Sequence, residues 1–318
     1  MNELGREYVV IGNKYDNILM KYISSALHLV NMFRLIRTRK IDIGIGISGL
    51  VSYVSNYTNM SSICLDDDDS VITPVYAKHI KGANTILTPA SLKNDYRGLN
   101  HITYKGFHEL AYLHPNHFKP DPGVIKKLGI KENDKYFVLR FNAFKAHHDT
   151  NEYGMSHEQK DQLIKYLLPH GRVFVSNEKE DPAFLKYNLP VSANEIHSVL
   201  YYATLFIGDS QTMTSEAAIL GTPALKCNTF AGRLSVPNEL EQKYGLCYSF
   251  LPDFFDLMMA KIQEFLANPN LRQEFQARRQ KMLSEKIDVT AFMVWFIENY
   301  PGSIKTIRED PDYEDRFV

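Results

Sequence analysis

The sequence predicts an α/β protein built of two Rossmann-like domains facing a cleft, and three observations carry that expectation. Short apolar runs suited to buried strands alternate with helical periodicity, first over residues 9–106 and again over 136–227. The stretch FHELAYLHPNHFKPDPG, residues 107–123, has three prolines and no clean periodicity and reads as a connector between the two series. The length, 318 residues, suits two domains of about 100–200 residues each. The expected division is a first domain over 1–121, a second over 122–286, and a helical tail over 287–318.

In the first series, Val9-Val10-Ile11 reads as a strand, and Asp16 as the cap of a long helix with Leu19, Ile23, Leu27, Val30 and Phe33 on one stripe. Arg34, Arg37, Arg39 and Lys40 near its end complement the helix C-terminus or touch lipid head groups, the basis for expecting peripheral contact with a membrane. Ile41–Ile47, Ser61–Leu65, Thr85–Pro89 and 101–106 are the following strands, with Ser48-Gly49 opening a helix after the first of them. In the second series, Tyr136–Phe141 and Arg172–Ser176 are strands. Ser156-x-x-Gln159 and Ser192-x-x-Glu195 are capping boxes. Three helices close the chain, over 254–266, 271–284 and 289–300, the last capped by Asp288.

Composition narrows the function classes. With 44% apolar and 23% charged residues and a formal net charge of −1, nothing suggests a nucleic-acid partner. Cys64, Cys227 and Cys247 form no C-x-x-C pair and read as reduced core thiols of a cytoplasmic protein. The first ten residues lack the pattern of a signal peptide, and no run reaches the ~18 apolar residues of a membrane span. Walker A, G-x-S-x-G and H-E-x-x-H motifs are also absent.

The most informative stretch runs from Thr204 to Cys227. The apolar Leu205-Phe206-Ile207 ends in Gly208-Asp209, and Ser210, Gln211 and Thr212 then stand at a helix entrance. The helix, over 213–220, stops at Gly221 with Pro223 just beyond, and Ala224-Leu225 opens the next strand. Free backbone N–H groups and three polar side chains at a positive helix end make an anion site. Glu216, one turn after Thr212, either meets a ribose hydroxyl or offsets the helix macrodipole.

Other candidates lie at strand ends, where open α/β sheets bind ligands. Arg140 suits a diphosphate, and His147-His148-Asp149 suits proton transfer. Asp66-Asp67-Asp68-Asp69 is the most charged run; it reads first as an exposed acidic turn after a strand, and a cation or a proton would also relieve its repulsion. Asp67 or Asp66 is a candidate base, Glu109 in the connector a further acid, and Arg233 a basic group after the strand beside the phosphate turn.

GDSQTMTSEAAILGTPA, GFHELAYLHPNHFKPDP and LRFNAFKAHHD closely resemble three blocks of an uncharacterised bacterial and archaeal family. Its expected fold is that of the glycosyltransferase-B class, and it is related to UDP-N-acetylglucosamine 2-epimerase and to MurG-like glycosyltransferases. The resemblance spans about residues 9–285. It implies a nucleotide-sugar site mainly in the second domain and a last helix crossing back to the first. It also implies that Ser210, Gln211 and Thr212 contact diphosphate and Glu216 the ribose. Gln211 and Thr212 stand where the epimerase motif has glycines. Ile47-Ser48-Gly49 lacks the Asp those epimerases carry, and the family's first strand and GHP-like loop have no counterpart here.

The expected function is therefore a nucleotide-sugar-dependent glycosyltransferase in cell-surface polysaccharide or glycolipid synthesis, at the inner face of the membrane. Its donor is UDP-linked, its acceptor a saccharide or lipid-linked molecule, and it requires no metal or other cofactor. Arg140, Ser210, Gln211, Thr212, Glu216 and Arg233 hold the donor, and Asp67, His148 and Glu109 are the catalytic candidates. The alternatives are a UDP-sugar 2-epimerase-like enzyme and a non-catalytic nucleotide-sugar-binding subunit.

Overall fold

The computed structural model describes residues 8–12, 17–131, 134–142, 152–177 and 181–318. Contacts divide the chain into two compact units: Met1–Asp66 with Ser70–Thr88 and Lys93–Thr103, and Asp67–Asp69 with Pro89–Leu92 and Tyr104–Val318.

The first unit holds α1 (Ile18–Arg39), β1 (Ile43–Gly46), α2 (Gly49–Ser55), β2 (Ser61–Leu65), α3 (Pro74–Ile80) and β3 (Thr85–Pro89), and most of β4 (His101–Tyr104). The sheet order is β1-β2-β3-β4, and β2 pairs in parallel with both β1 and β3. Ser48 caps α2 as its sequence suggests, its Oγ accepting from Leu50 N at 3.3 Å. Ile36, Val51, Val54 and Met60 form one core cluster, and Cys64, Ile80, Ala83 and Ile86 another. Val9–Ile11 differs from expectation and forms no strand. A strand needs a ladder partner, and the Ile11 carbonyl instead accepts from the Asn31 side chain at 2.9 Å. Asp16, the expected cap of α1, lies outside the described residues.

The acidic run is divided among different partners. Asp66 is buried in an ion pair with Arg97, which also reaches Asp95 at 2.9 Å. Asp95 in turn accepts from the amide and hydroxyl of Ser70, both at 2.6 Å. In the second unit, Asp69 accepts from Ser235 N at 2.7 Å and Ser235 Oγ at 2.5 Å. Hydrogen bonds and a guanidinium thus offset the charge of this run.

The second unit opens with two short helices within and just after the proline-bearing stretch, α4 (Leu110–Leu113) and α5 (Gly123–Lys127). Then follow β5 (Tyr136–Phe141), α6 (His157–Leu167), β6 (Arg172–Asn177), α7 (Ile196–Tyr202), β7 (Leu205–Gly208), α8 (Gln211–Ile219) and β8 (Ala224–Cys227). α9 (Ser235–Gln242), β9 (Cys247–Phe250), α10 (Phe255–Ala267), α11 (Leu271–Leu283), α12 (Val289–Glu298) and α13 (Gly302–Glu309) complete it. The five strands run parallel in the order β6-β5-β7-β8-β9. Both capping boxes form, at Ser156 and at Ser192, the second opening a short 3-10 turn ahead of α7. Asp288 caps α12 through Ala291 N at 3.0 Å, and also takes Asn116 Nδ2 at 2.9 Å and His117 Nε2 at 2.7 Å. Among the described residues no helix is long and apolar enough to cross a membrane.

β5 and β7 meet so closely at one point that only glycine fits. A Cβ on Gly208 would lie 2.5 Å from the Arg140 carbonyl oxygen, a backbone atom that cannot step aside. Gly208→Ala is expected to cost on the order of 2–3 kcal/mol, as overpacking does. Equilibrium urea unfolding reads the loss as a lower midpoint at unchanged slope.

Candidate functional site

α8 starts where β7 ends, between two strands of the parallel sheet. Ser210 is its N-cap, with extended backbone (φ −79°, ψ 126°) and a hydroxyl accepting from Met213 N at 3.4 Å. The Thr214 hydroxyl donates to Ser210 O at 2.6 Å and tightens the same turn. Gln211 and Thr212 are the first two helical residues; Thr212 is exposed and Gln211 half-buried. The first turn of α8 carries no acidic side chain, so the positive helix end is left without the usual carboxylate. Because α8 already begins at Gln211, Glu216 lies beyond that first turn, and offsetting the macrodipole does not account for it.

Glu216 is buried and faces two donors. Its Oε1 accepts from Tyr112 Oη and lies against His197 Nε2, each at 3.0 Å, with the Tyr112 and His197 rings 5.4 Å apart. Glu109 is buried nearby, and its Oε2 has no hydrogen-bond partner among the described residues. Burial, and after it the Asp67 charge, pushes the Glu109 carboxyl up to about 8, so it holds a proton at neutral pH. Asp67 itself is exposed.

At the entrance of α8 the sheet ends in charged groups. Arg140 donates through Nη1 to Ser176 Oγ at 3.0 Å, while its Nε is buried without a partner among the described residues. It lines a cavity of about 490 Å³ together with Val175, Ser176, Leu189, Ile196 and Met213, within the size range of small-ligand pockets. Asp209 is 1% exposed; its Oδ1 accepts from Asn142 N at 2.6 Å and its Oδ2 lies 3.9 Å from Lys160 Nζ. Burial pushes this carboxyl up to about 7 against the pull of the Asn142 amide, Lys160 and Arg140. On β8, Lys226 is fully buried and donates to Gln211 Oε1 at 2.5 Å.

One unit thus brings together Arg140, Ser210, Gln211, Thr212 and Glu216 around α8, with Glu109 and Asp67 near Glu216. Arg233 donates to Glu152 at 2.7 Å and to Thr229 O at 3.4 Å. His148 lies outside the described residues, as do His147 and Asp149. The sequence reading passed over Asp209, Lys226, Tyr112 and His197 as site residues. Lys226 had a usable signal, a lone charge in the run Ala224-Leu-Lys-Cys227. Tyr112 and His197 had none, since only the fold brings them to Glu216.

The sequence model of the family described as "Protein of unknown function (DUF354)" matches residues 1–300. The chain is also similar to "Uncharacterized protein MJ0665" of Methanocaldococcus jannaschii, 26% identical over 152 residues. That match covers 45% of this chain and 43% of the relative, so it spans less than half of either. Among solved structures, the S. aureus MnaA-UDP co-structure superposes with a TM-score of 0.61 at 14% identity, over 92% of this chain and 84% of that one. A UDP-N-acetylglucosamine 2-epimerase gives 0.57 at 15% identity, over 86% and 78%. The spinosyn forosaminyltransferase SpnP gives 0.56 at 12%, over 91% and 86%. At these identities the likeness is one of fold: two Rossmann-like α/β units of the glycosyltransferase-B class.

Proposed function

The chain belongs to the DUF354 family, and we propose that it is a nucleotide-sugar-dependent glycosyltransferase in the synthesis of cell-surface polysaccharide or glycolipid. One juxtaposition carries this reading: a helix whose first turn has no acidic side chain, flanked by a nucleoside-sized cavity and followed one turn later by a buried glutamate. The donor diphosphate rests on Ser210, Gln211 and Thr212 with Arg140, and the nucleoside enters the cavity that Arg140 and Met213 line. Both contacts to Glu216 fall on Oε1, so its Oε2 takes a ribose hydroxyl. The similar solved structures, one a complex with UDP and one a forosaminyltransferase, support the same ligand class.

In the transfer step the acceptor hydroxyl oxygen bonds to the anomeric carbon as the bond from that carbon to the diphosphate oxygen breaks. UDP leaves with the bonding electron pair, and the hydroxyl proton passes to a carboxylate or imidazole, Asp67 or His148. The helix end and Arg140 stabilise the charge that grows on the departing diphosphate. Calorimetric titration of UDP and UDP-sugars into the full chain tests the reading. Saturable binding below millimolar concentration is the expected result; none at millimolar ligand overturns it.

One observation favours a second reading. A buried acid that keeps its proton near pH 7, as Glu109 does, suits a 2-epimerase, which moves a proton at the sugar ring. Conversion of UDP-N-acetylglucosamine with no acceptor present would select it over transfer.

A further inference from the structure

A lysine inside a parallel strand is a costly residue, and the chain places one directly behind the helix entrance. Lys226 is fully buried on β8, and its ammonium reaches the side-chain oxygen of Gln211, the first residue of α8. A positive charge behind a positive helix end is doubly unfavourable in a low-dielectric interior, and an anion in front of that end relieves both. Gln211 links the two. With its oxygen held by Lys226, what its amide has left to offer a ligand is two N–H donors. We propose that Lys226 is a positioning residue for a diphosphate at the α8 entrance, turning the Gln211 donors toward it and adding a full positive charge behind the site.

This inference rests on the anion site of the proposed function but not on the sugar or on the transfer chemistry. The electrostatics agree with it. Burial draws the Lys226 ammonium down to about 8, against Glu241 of α9 and Cys247 of β9, which push it up. Glu241 is itself engaged by Ser249 N at 3.1 Å, and burial keeps the Cys247 thiol protonated. A diphosphate nearby favours the charged lysine, so its binding takes up a proton and weakens as pH rises through the lysine's titration. Asp209 gains its charge around pH 7 and Glu109 around pH 8, and both oppose anions, so the lysine's share is the difference between the wild type and a lysine-free variant from pH 7.5 to 9.5.

The experiment is calorimetric titration of UDP and, separately, inorganic pyrophosphate into the wild-type chain, Lys226→Met, Lys226→Arg and Gln211→Leu, from pH 7.5 to 9.5. Folding of each variant is checked by circular dichroism and thermal unfolding. The expected wild-type affinity for either anion falls about tenfold across this range. Lys226→Met binds at least tenfold more weakly at pH 7.5, with a pH profile shallower than the wild type's by the lysine's share; Lys226→Arg restores most of the affinity, and Gln211→Leu weakens binding but keeps part of the pH dependence. A folded Lys226→Met with wild-type affinity, or a wild-type profile flat with pH, overturns the inference and leaves the glycosyltransferase reading standing. Lysine-dependent pyrophosphate binding without UDP or UDP-sugar binding does the reverse. Failure of the wild type to bind either anion overturns both. Should Lys226→Met not fold, the wild-type profile and Gln211→Leu decide alone.

Discussion

Replacing Thr212 with aspartate is expected to stabilise the fold slightly and to abolish donor binding. Thr212 is exposed and is the second residue of α8, so the change creates no packing conflict. A carboxylate in the first turn of a helix contributes roughly 0.3–1 kcal/mol through the macrodipole. The same carboxylate about 4 Å from a bound phosphate repels it by about 4 kcal/mol at an effective dielectric near 20, which weakens binding by two orders of magnitude or more. UDP calorimetry and chemical denaturation of Thr212→Asp read the two effects separately. An ordinary capped helix predicts the stability gain and no ligand effect, so unchanged UDP affinity would rule out an anion site at this entrance.

The second large effect concerns Glu109. Its carboxyl sits near 8 in the fold against 4.5 in its ordinary environment, because burial and then the Asp67 charge disfavour ionisation. Below pH 4.5 the group is protonated in both folded and unfolded chains and is neutral to stability. As pH rises from 4.5 to 8, the unfolded chain releases the proton while the fold retains it, and stability falls. Above 8 the loss levels off at about 4–5 kcal/mol, the shift of 3.5 units taken at about 1.4 kcal/mol each. Glu109→Gln keeps the shape and removes the titration. It should match the wild type near pH 4.5 and exceed it by several kcal/mol at pH 8.5, as read from urea midpoints at each pH. A difference between the two that does not change with pH would show that Glu109 ionises as freely in the fold as in the unfolded chain.

How far the sequence sufficed follows from which interactions are local. Strands β5, β7 and β8 announce themselves as apolar runs, and the caps at Ser48, Ser156, Ser192 and Asp288 are set within three residues of the groups they bind. The entrance of α8 was legible for the same reason, since Gly208-Asp-Ser-Gln-Thr states its own turn. β9 is not legible because Ser249 interrupts Cys247-Tyr-Ser-Phe250, so the strand has no apolar run and is defined by pairing with β8. Val9–Ile11 erred in the opposite direction, an apolar run to which the described structure gives no strand. At the site, the partners of Glu216 lie 104 and 19 residues away, and the lysine behind Gln211 lies 15 residues on across a strand boundary. No spacing rule reaches such contacts. The partners of the acidic run were not legible either, because Asp66 and Asp69 belong to different units and bond to residues 31 and 166 positions away.

The close approach of Gly208 to the Arg140 carbonyl bears on how this protein diversifies. With glycine imposed at the end of β7, the spacing of β5 and β7 just ahead of the α8 entrance is set by two backbones. Related sequences that keep this packing therefore cannot tune their ligand by lengthening or shortening a side chain there. Selectivity has to evolve at the rim, through exposed Thr212 and through the cavity wall formed by Val175, Leu189, Ile196 and Met213. Comparing donors across relatives that differ only at those positions would separate a constant phosphate anchor from a drifting nucleoside and sugar preference.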